Sequence, residues 1–468
     1  MPQQAITQSI ENAHANREKN LQKFDAFLRI PSISTDPAYA GEVQRAAEWV
    51  LAELERLGFD RCAIMPTEGH PVVYGEWLKA GADKPTVVIY AHYDVQPPDP
   101  LDLWETPPFE PEIRDGKLYA RGAVDDKSGV WGNLVVFESI LAATGRLPIN
   151  VKVFFEGEEE SGSPNMEPFI RANLDLLGAD LLVISDSGCT PPVPRIPYSV
   201  RGVISAEVKV TGPEHDFHSG LGGAVVHNPV HMAARLIASF HDENGRISIP
   251  GAYDGVMPLT EDERRKFDAA EEQTIQAMRN NLGGFKPWGE DEYNFVERMT
   301  ARPSLDVNGI WGGYQGDGTK TIIPSMAGFK VSMRLAPGQD PYHIAQKLED
   351  HVRSFASDTV EITFHPSKLA AWPALMLNDG PVAEALNRAY EAGWGQSIEF
   401  TRSGGSVPII GMFQRELGMP ITVMGFASGA LIHAPNEHLL LDYFLSNIDT
   451  AIHFYHYLAD ALQETGKI

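Results

Sequence analysis

Residues 149–160 read INVKVFFEGEEE. The run from Ile149 to Phe155 is apolar apart from Asn150 and Lys152, which fits a strand buried on both faces better than a half-wet one. Directly behind it, Glu156, Glu158, Glu159 and Glu160 crowd into five positions. Like charges at the mouth of a buried strand raise one another's pKa, so something must make these four carboxylates tolerable.

Working outward, two more apolar runs of the same kind flank the first, TVVIYAHYDV at 86–95 and DLLVISD at 180–186. The stretch KSGVWGNLVVFESILAATG at 127–145 has helical texture, as do 8–30 and 42–58, the latter closed by Gly58. Apolar strands alternating with helices predict an α/β domain whose mixed, largely parallel sheet lies between helices. Near residue 200 the texture changes. VISAEVKVTG, PVHMAARLIASFHD, AGFKVSMRLAP, PYHIAQKLEDHVRSFA and VEITFHP alternate strand and helix, three strands and two helices that fit an α+β unit, for which a four-stranded sheet with two helices on one face is expected. The polar helical stretch at 259–281 reads as a solvated excursion. After about residue 375 the first texture returns, ending in a long helix from about Tyr443. The expectation is a discontinuous catalytic domain, 1–202 and 375–468, interrupted by an inserted lid or dimerisation domain at 203–374.

Composition narrows the function classes. The 468 residues carry 38 basic and 63 acidic side chains, a formal charge of -25, which disfavours nucleic acid and anionic membrane surfaces as partners. No run approaches the roughly 18 apolar residues of a spanning helix, and residues 1–20 lack a secretory pattern, so a cytoplasmic protein is expected. Cys62 and Cys189 are too few for a disulfide framework or a cysteine zinc module. Cys189 lies three residues past an acidic strand end, but the local sequence supplies no basic partner to activate it.

Ligands of open α/β sheets bind outside the carboxyl ends of the strands. Polar residues collect there: His92 and Asp94 after the first run, Asp125 and Asp126 in LYARGAVDDKSG, Glu159 and Glu160, Asp186, and far downstream His433 in LIHAPNE. Imidazole and carboxylate together are ligands for Zn²⁺, Mn²⁺ or Co²⁺. Two divalent cations bring four positive charges, which three carboxylates and one hydroxide would neutralise with every ligand deprotonated. A carboxylate shared by two metals is the arrangement that polarises a carbonyl while activating a water.

The segments AHYDVQP, ARGAVDDKSG, FEGEEESGS, SD, DFHSG, MRLAPGQDP, GGSVP and IHAPNE, in this order, resemble a known family. It is the dinuclear zinc metallopeptidases, which include carnosinase-type dipeptidases, aminoacylase, acetylornithine deacetylase, succinyl-diaminopimelate desuccinylase and carboxypeptidase G. The resemblance spans nearly the whole chain. It implies that Asp125 bridges two zinc ions, with His92 and Asp186 completing one metal and Glu160 and His433 the other. Glu159 would be the general base toward a metal-bridging water, Asp94 would hold the imidazole of His92, and the Asp125–Asp126 peptide would be cis. On local sequence alone His218 is a turn histidine and Arg334 a strand arginine. By resemblance His218 reaches the partner active site of a homodimer and binds the oxyanion, while Arg334 grips a substrate carboxylate. Thr321 matches a lid residue, and Gly405 and Ser406 would lie beside that carboxylate. SGGS at 403–406 lacks the lysine of a phosphate loop. His365 sits at a spacing from Trp372 that departs from the carnosinase pattern.

The expected activity is a metal-dependent dipeptidase acting on small peptides with a free C-terminal carboxylate. The wording HYDVQP favours it over an N-acyl-amino-acid deacylase. A non-catalytic binding protein on the same fold would be expected to have lost ligands that are all present here. Of the remaining glutamates, Glu156 is expected to give a supporting hydrogen bond and Glu158 to face solvent.

Overall fold

The computed structural model describes residues 2–189 and 193–465. The chain divides into two compact units, one formed by residues 1–198, 376–401 and 412–468 and the other by 199–375 and 402–411.

The first unit is built on a six-stranded sheet. From one edge its strands are Asp60–Met65, Val72–Trp77, Asn150–Glu156, Thr86–His92, Leu181–Ile184 and Ile421–Val423. The first two pairings are antiparallel and the last three parallel, so the sheet is mixed with a parallel majority. Every residue of Val72–Trp77, Asn150–Glu156 and Leu181–Ile184 is buried, the pattern of strands covered on both faces. Parallel register aligns strand ends. Ile89 lies opposite Val153 and His92 opposite Glu156, so the residues that follow these strands emerge on one rim of the sheet.

Helix Lys127–Thr144 runs through the interior, begins at the Asp126 N-cap and stops at Gly145, whose φ of 72° is the left-handed C-terminal conformation that glycine adopts without strain. The terminal helix extends over Leu441–Thr465, two residues earlier than its apolar pattern suggests. A chain of buried polar contacts ties it to the sheet. Tyr455 Oη donates to Asn133 Oδ1 at 2.7 Å, Asn133 Nδ2 donates to Ser185 Oγ at 2.8 Å, and Ser185 Oγ donates to the Met424 carbonyl at 2.9 Å. Ser185 is thereby fixed one residue before Asp186. A smaller sheet joins Gly429–Ala430, His438–Leu440, Lys117–Tyr119 and Glu112–Arg114. It brings the segment around residue 433 beside the segment around residue 120, more than 300 positions apart.

The second unit holds a four-stranded antiparallel sheet in the order Ser304–Gly312, Met326–Leu335, Gly202–Thr211, Glu361–Ala371. Burial alternates strictly along Gly202–Thr211, as a sheet with one covered face requires. Ile204, Val208, Phe329, Val331 and Met333 pack with Met232 and Leu236 of helix Pro229–Ala238 and with Ile344 and Leu348 of helix Pro341–Arg353. Both helices start at a capped proline: Asn228 accepts from Val230 N, and Asp340 from Tyr342 N and His343 N. The strand Ser304–Gly312 completes the sheet. Its sequence SLDVNGIWG contains two glycines and little apolar alternation, which hides it from periodicity.

The polar stretch near 270 forms helix Glu261–Leu282, opened by a capping box between Thr260 and Glu263. Its first turn is not simply solvated. Arg402, only 8% exposed, donates Nε and Nη2 to Glu263 Oε1 at 2.9 and 2.6 Å, anchoring the helix beside the segment that leads into Ser403. No helix among the described residues is long and apolar enough to cross a membrane.

Candidate metal centre

The rim where the parallel strands end gathers His92, Asp125, Glu160, Asp186 and His433. His92 closes its strand, Asp125 and Asp126 precede helix Lys127–Thr144, Glu159 and Glu160 form a short turn behind Glu156, and Asp186 lies two residues past Ile184. The Asp125–Asp126 peptide is cis. Ligand atoms of His92, Asp125 and Glu160 lie within 4.8 Å of one another, and so do those of His92, Asp126 and Asp186.

The carboxylate of Asp125 is divided between the two imidazoles. Its Oδ1 lies 3.0 Å from His92 Nε2, and its Oδ2 lies 2.9 Å from His433 Nε2. Glu160 Oε2 is 3.2 Å from the same nitrogen of His433, and Asp186 Oδ1 is 3.9 Å from Nε2 of His92. Two sets of donors, one around each histidine, thus meet at one shared carboxylate.

The electrostatics of the cluster show its appetite for positive charge. Burial pushes Asp186 up to about 7, with His92 opposing and Asp125 and Glu160 adding repulsion. Burial lifts Glu159 well above the usual carboxylate range, countered by His92 and reinforced by Asp186 and Glu160. Burial also works against ionisation of Asp125, yet His433 and His92 outweigh it and hold that carboxyl well below the usual range. His433 is raised to about 10, chiefly by its contacts with Asp125 and Glu160. Glu160 Oε1 is buried without a hydrogen-bond partner. A buried carboxylate oxygen left unpaired is costly unless a cation neutralises it. This orphaned oxygen, with a donor set of imidazole nitrogens and carboxylates, fits divalent metal ions of the zinc, manganese and cobalt type.

Asp94 lies beneath the cluster. Its Oδ1 is 3.3 Å from Nδ1 of His92, whose ring also meets the Asp94 carbonyl at 3.1 Å. The same carboxylate accepts from the backbone of Glu159 at 3.2 Å and of Glu160 at 3.0 Å. It therefore sets both the imidazole and the glutamate turn. The other two glutamates of the opening run have separate surroundings. Glu156 accepts from Tyr90 Oη at 2.8 Å and is pushed up to about 8 by burial. Glu158, expected in solvent, is 1% exposed. It accepts from His70 N at 3.1 Å and from Asn165 N and Nδ2 at 2.8 and 3.1 Å. The amides of two neighbouring loops thus satisfy a carboxylate turned inward.

Gln96 is not singled out by sequence, and Asp126, one of the rim carboxylates, has contacts that sequence does not show. Gln96 donates Nε2 to Glu160 Oε2 at 2.9 Å and to its carbonyl at 3.1 Å. Asp126, fully buried, accepts from His92 N at 3.2 Å and caps the following helix through Gly129 N. Both lie inside the quoted segments, next to residues of more obvious chemistry.

The second unit carries the other candidates. His218 is exposed at the end of the two-residue strand Phe217–His218, and its Nδ1 accepts from Gly220 N at 2.9 Å. Thr321 is exposed beside it, its carbonyl accepting from Ser219 N at 3.0 Å. Arg334 Nη1 donates to Ser406 Oγ at 2.7 Å. Gly405 binds the backbone of Arg201 through its carbonyl at 2.8 Å. Arg201, not singled out from sequence, is pushed down to about 10 by burial and by the charge of Arg334. His365 lies exposed on the outer strand Glu361–Ala371, opposite Glu207.

The model of peptidase family M20/M25/M40 matches residues 88–461. The Cys-Gly metallodipeptidase of Candida albicans is 30% identical over 98% of this chain and 98% of its own length. The human Beta-Ala-His dipeptidase is 33% identical over 74% of this chain and 68% of its own. Among solved structures, an M20 family metallo-carboxypeptidase from Sulfolobus solfataricus superposes with a TM-score of 0.81 at 31% identity, covering 94% of this chain and 99% of that one. Human carnosine dipeptidase 1 superposes with a TM-score of 0.77 at 28% identity, covering 97% and 99%.

The divided carboxylate leads to a direct test. Zinc at about 100 times its dissociation constant should stabilise the protein against urea by about 2.7 kcal/mol, and Asp125→Asn should lose most of that gain. Equal stabilisation of both proteins would show that the cluster does not hold the cation.

Proposed function

We propose, for a chain that belongs to peptidase family M20/M25/M40, that it is a metal-dependent dipeptidase hydrolysing the amide bond of small peptides with a free C-terminal carboxylate. The observation that carries this reading is the division of Asp125 between His92 and His433. It offers two adjoining donor sets with one common ligand, His92 and Asp186 on one side and Glu160 and His433 on the other. We assign two zinc ions to them, with manganese or cobalt as substitutes. When bound, such ions supply Lewis-acid polarisation of a carbonyl and lower the pKa of water.

The remaining work belongs to side chains. Glu159 sits in the same turn as Glu160, and its burial favours the protonated form. In its carboxylate form the group can take a proton from the attacking water on one oxygen, and the raised proton affinity that burial gives it lets it hold that proton and return it to the departing amine. Asp94 holds Glu159 by its backbone amide, so base and ligand share one anchor. In the second unit, Arg334 with Ser406 and Gly405 would grip the substrate carboxylate, and Thr321 would line the lid. The first unit is read as the catalytic domain and the second as the lid and dimerisation domain. His218, exposed on a short hairpin, would act in the active site of the partner subunit of a homodimer by donating to the oxyanion. A cytoplasmic setting suits two cysteines that are both free. The relatives named for Cys-Gly and Beta-Ala-His peptides support dipeptides over N-acyl amino acids.

The reading is tested by hydrolysis of Cys-Gly, β-Ala-His and a panel of α-dipeptides against N-acetyl, N-succinyl and N-carbamoyl amino acids, with added metals. Dipeptides should be turned over faster, and a preference for the acyl set would replace the dipeptidase with a deacylase. Glu159→Gln should lower kcat by about 10² to 10⁴-fold with metal content unchanged; retention of full turnover would remove Glu159 as the base. Mixing and reassociating the inactive variants Glu159→Ala and His218→Ala should restore about a quarter of wild-type activity, because half the dimers are hybrids with one complete site each. No recovery in proven hybrid dimers would place His218 outside the partner site.

A further inference from the structure

Glu437 is fully buried, with 0% of its surface exposed, and its carboxylate is saturated by donors from a distant segment. One oxygen accepts from Arg121 Nη1 at 2.6 Å and from Gly122 N at 3.2 Å. The other accepts from Val124 N at 2.8 Å and Asp125 N at 3.1 Å. The Glu437 carbonyl accepts from Ala120 N at 3.2 Å, and the next residue, His438, pairs with Tyr119 in the small sheet. Residues 119–125 are therefore wrapped around one side chain that follows His433 by four positions.

Its partners are fixed in turn. Arg121, 1% exposed, donates Nη2 to the Pro97 carbonyl at 3.2 Å and lies 5.6 Å from the ring centre of Trp104. Asn436 accepts from Glu105 N and donates to the Leu103 carbonyl, each at 2.9 Å. Meanwhile Leu431, His433 and Asn436 hold φ values of 61°, 60° and 63°. The left-handed conformation is unfavourable for leucine and histidine and better tolerated by asparagine, and such a cluster in six positions persists only where surrounding contacts over-determine it. The contacts of Glu437 and Asn436 supply that constraint.

We propose that Glu437 is a positioning residue for the metal centre. Its carboxylate clamps the peptide that carries Asp125 to the strained segment that carries His433, so that the shared carboxylate and the second imidazole are in place before a cation arrives. The inference rests on the reading of the cluster as a metal centre. Both Glu437 oxygens are needed. An amide at this position offers one acceptor and turns an N–H₂ group toward backbone donors, which frees either the Arg121–Gly122 side or the Val124–Asp125 side. Partners that orient metal ligands contribute about 10 to 100-fold to metal affinity.

The test uses the full-length protein stripped of metal and titrated with Zn²⁺ against a chromophoric chelator, for wild type, Glu437→Gln and Arg121→Lys. The unfolding midpoint of each stripped protein is measured in parallel. Zinc affinity should fall about 10 to 100-fold in Glu437→Gln and by less in Arg121→Lys, whose ammonium keeps the charge but loses the fork. Wild-type affinity in a folded Glu437→Gln protein would overturn the inference, whatever its unfolding midpoint. Failure of both variants to fold would assign the carboxylate to folding and overturn it as well. A wild-type protein that binds no divalent ion would instead defeat the metal-centre reading, so the two failures are distinguishable.

Discussion

The structure depends on keeping negative charge close together at one rim of a buried sheet. Asp125 stands between two imidazoles 341 positions apart in the chain, His92 and His433. Asp186, Glu159 and Glu160 crowd the same space, each at the end of a strand that burial makes apolar. In water such a group of carboxylates would spread apart. Here parallel register fixes where the strands end, the central helix fixes Asp125 and Asp126, and Asp94 pins the glutamate turn by its amides. The fold thus holds an arrangement that is unfavourable until cations occupy it, which is what gives a metal centre its affinity.

The charges near the centre are handled in two ways. Glu158, Asp94 and Glu437 accept hydrogen bonds from protein donors at both oxygens, while Glu156 is met by Tyr90 at one oxygen and leaves the other unpaired. Glu160 keeps one oxygen unpaired, and Asp186 and Glu159 are held in the face of burial and repulsion. Glu156, Glu158, Glu159 and Glu160 are neighbours in sequence, yet each lies in a different environment.

Much of this was legible in the sequence where a residue's role depends on local pattern. The runs ending at His92, Phe155 and Asp186 announce buried strands by their apolar continuity, and acidic or imidazole groups at their ends mark the rim. Other residues required tertiary knowledge. Glu158 looks like one more solvated glutamate until loops 67–71 and 163–166 are seen to bring it their amides. Ser304–Gly312 has too little alternation to declare itself a strand, and it forms because Met326–Leu335 offers it an edge. Arg201 and Arg402 resemble any strand arginine until their burial is known. Glu437 is invisible for another reason, since its partners lie 312 to 316 positions away.

The order of the site along the chain sets a schedule for its assembly. Synthesis from the N-terminus delivers His92, Asp125, Glu160 and Asp186 within the first 186 residues, then the whole second unit, and only afterwards His433 and Glu437. Until those arrive, the loop at 120–125 lacks the carboxylate it wraps around, and Asp125 has a single imidazole. A partly synthesised chain would therefore carry an incomplete ligand set, unable to hold two ions as the finished protein is proposed to. Hydrolytic competence comes late by construction, when the last tenth of the polypeptide closes the small sheet over the first quarter.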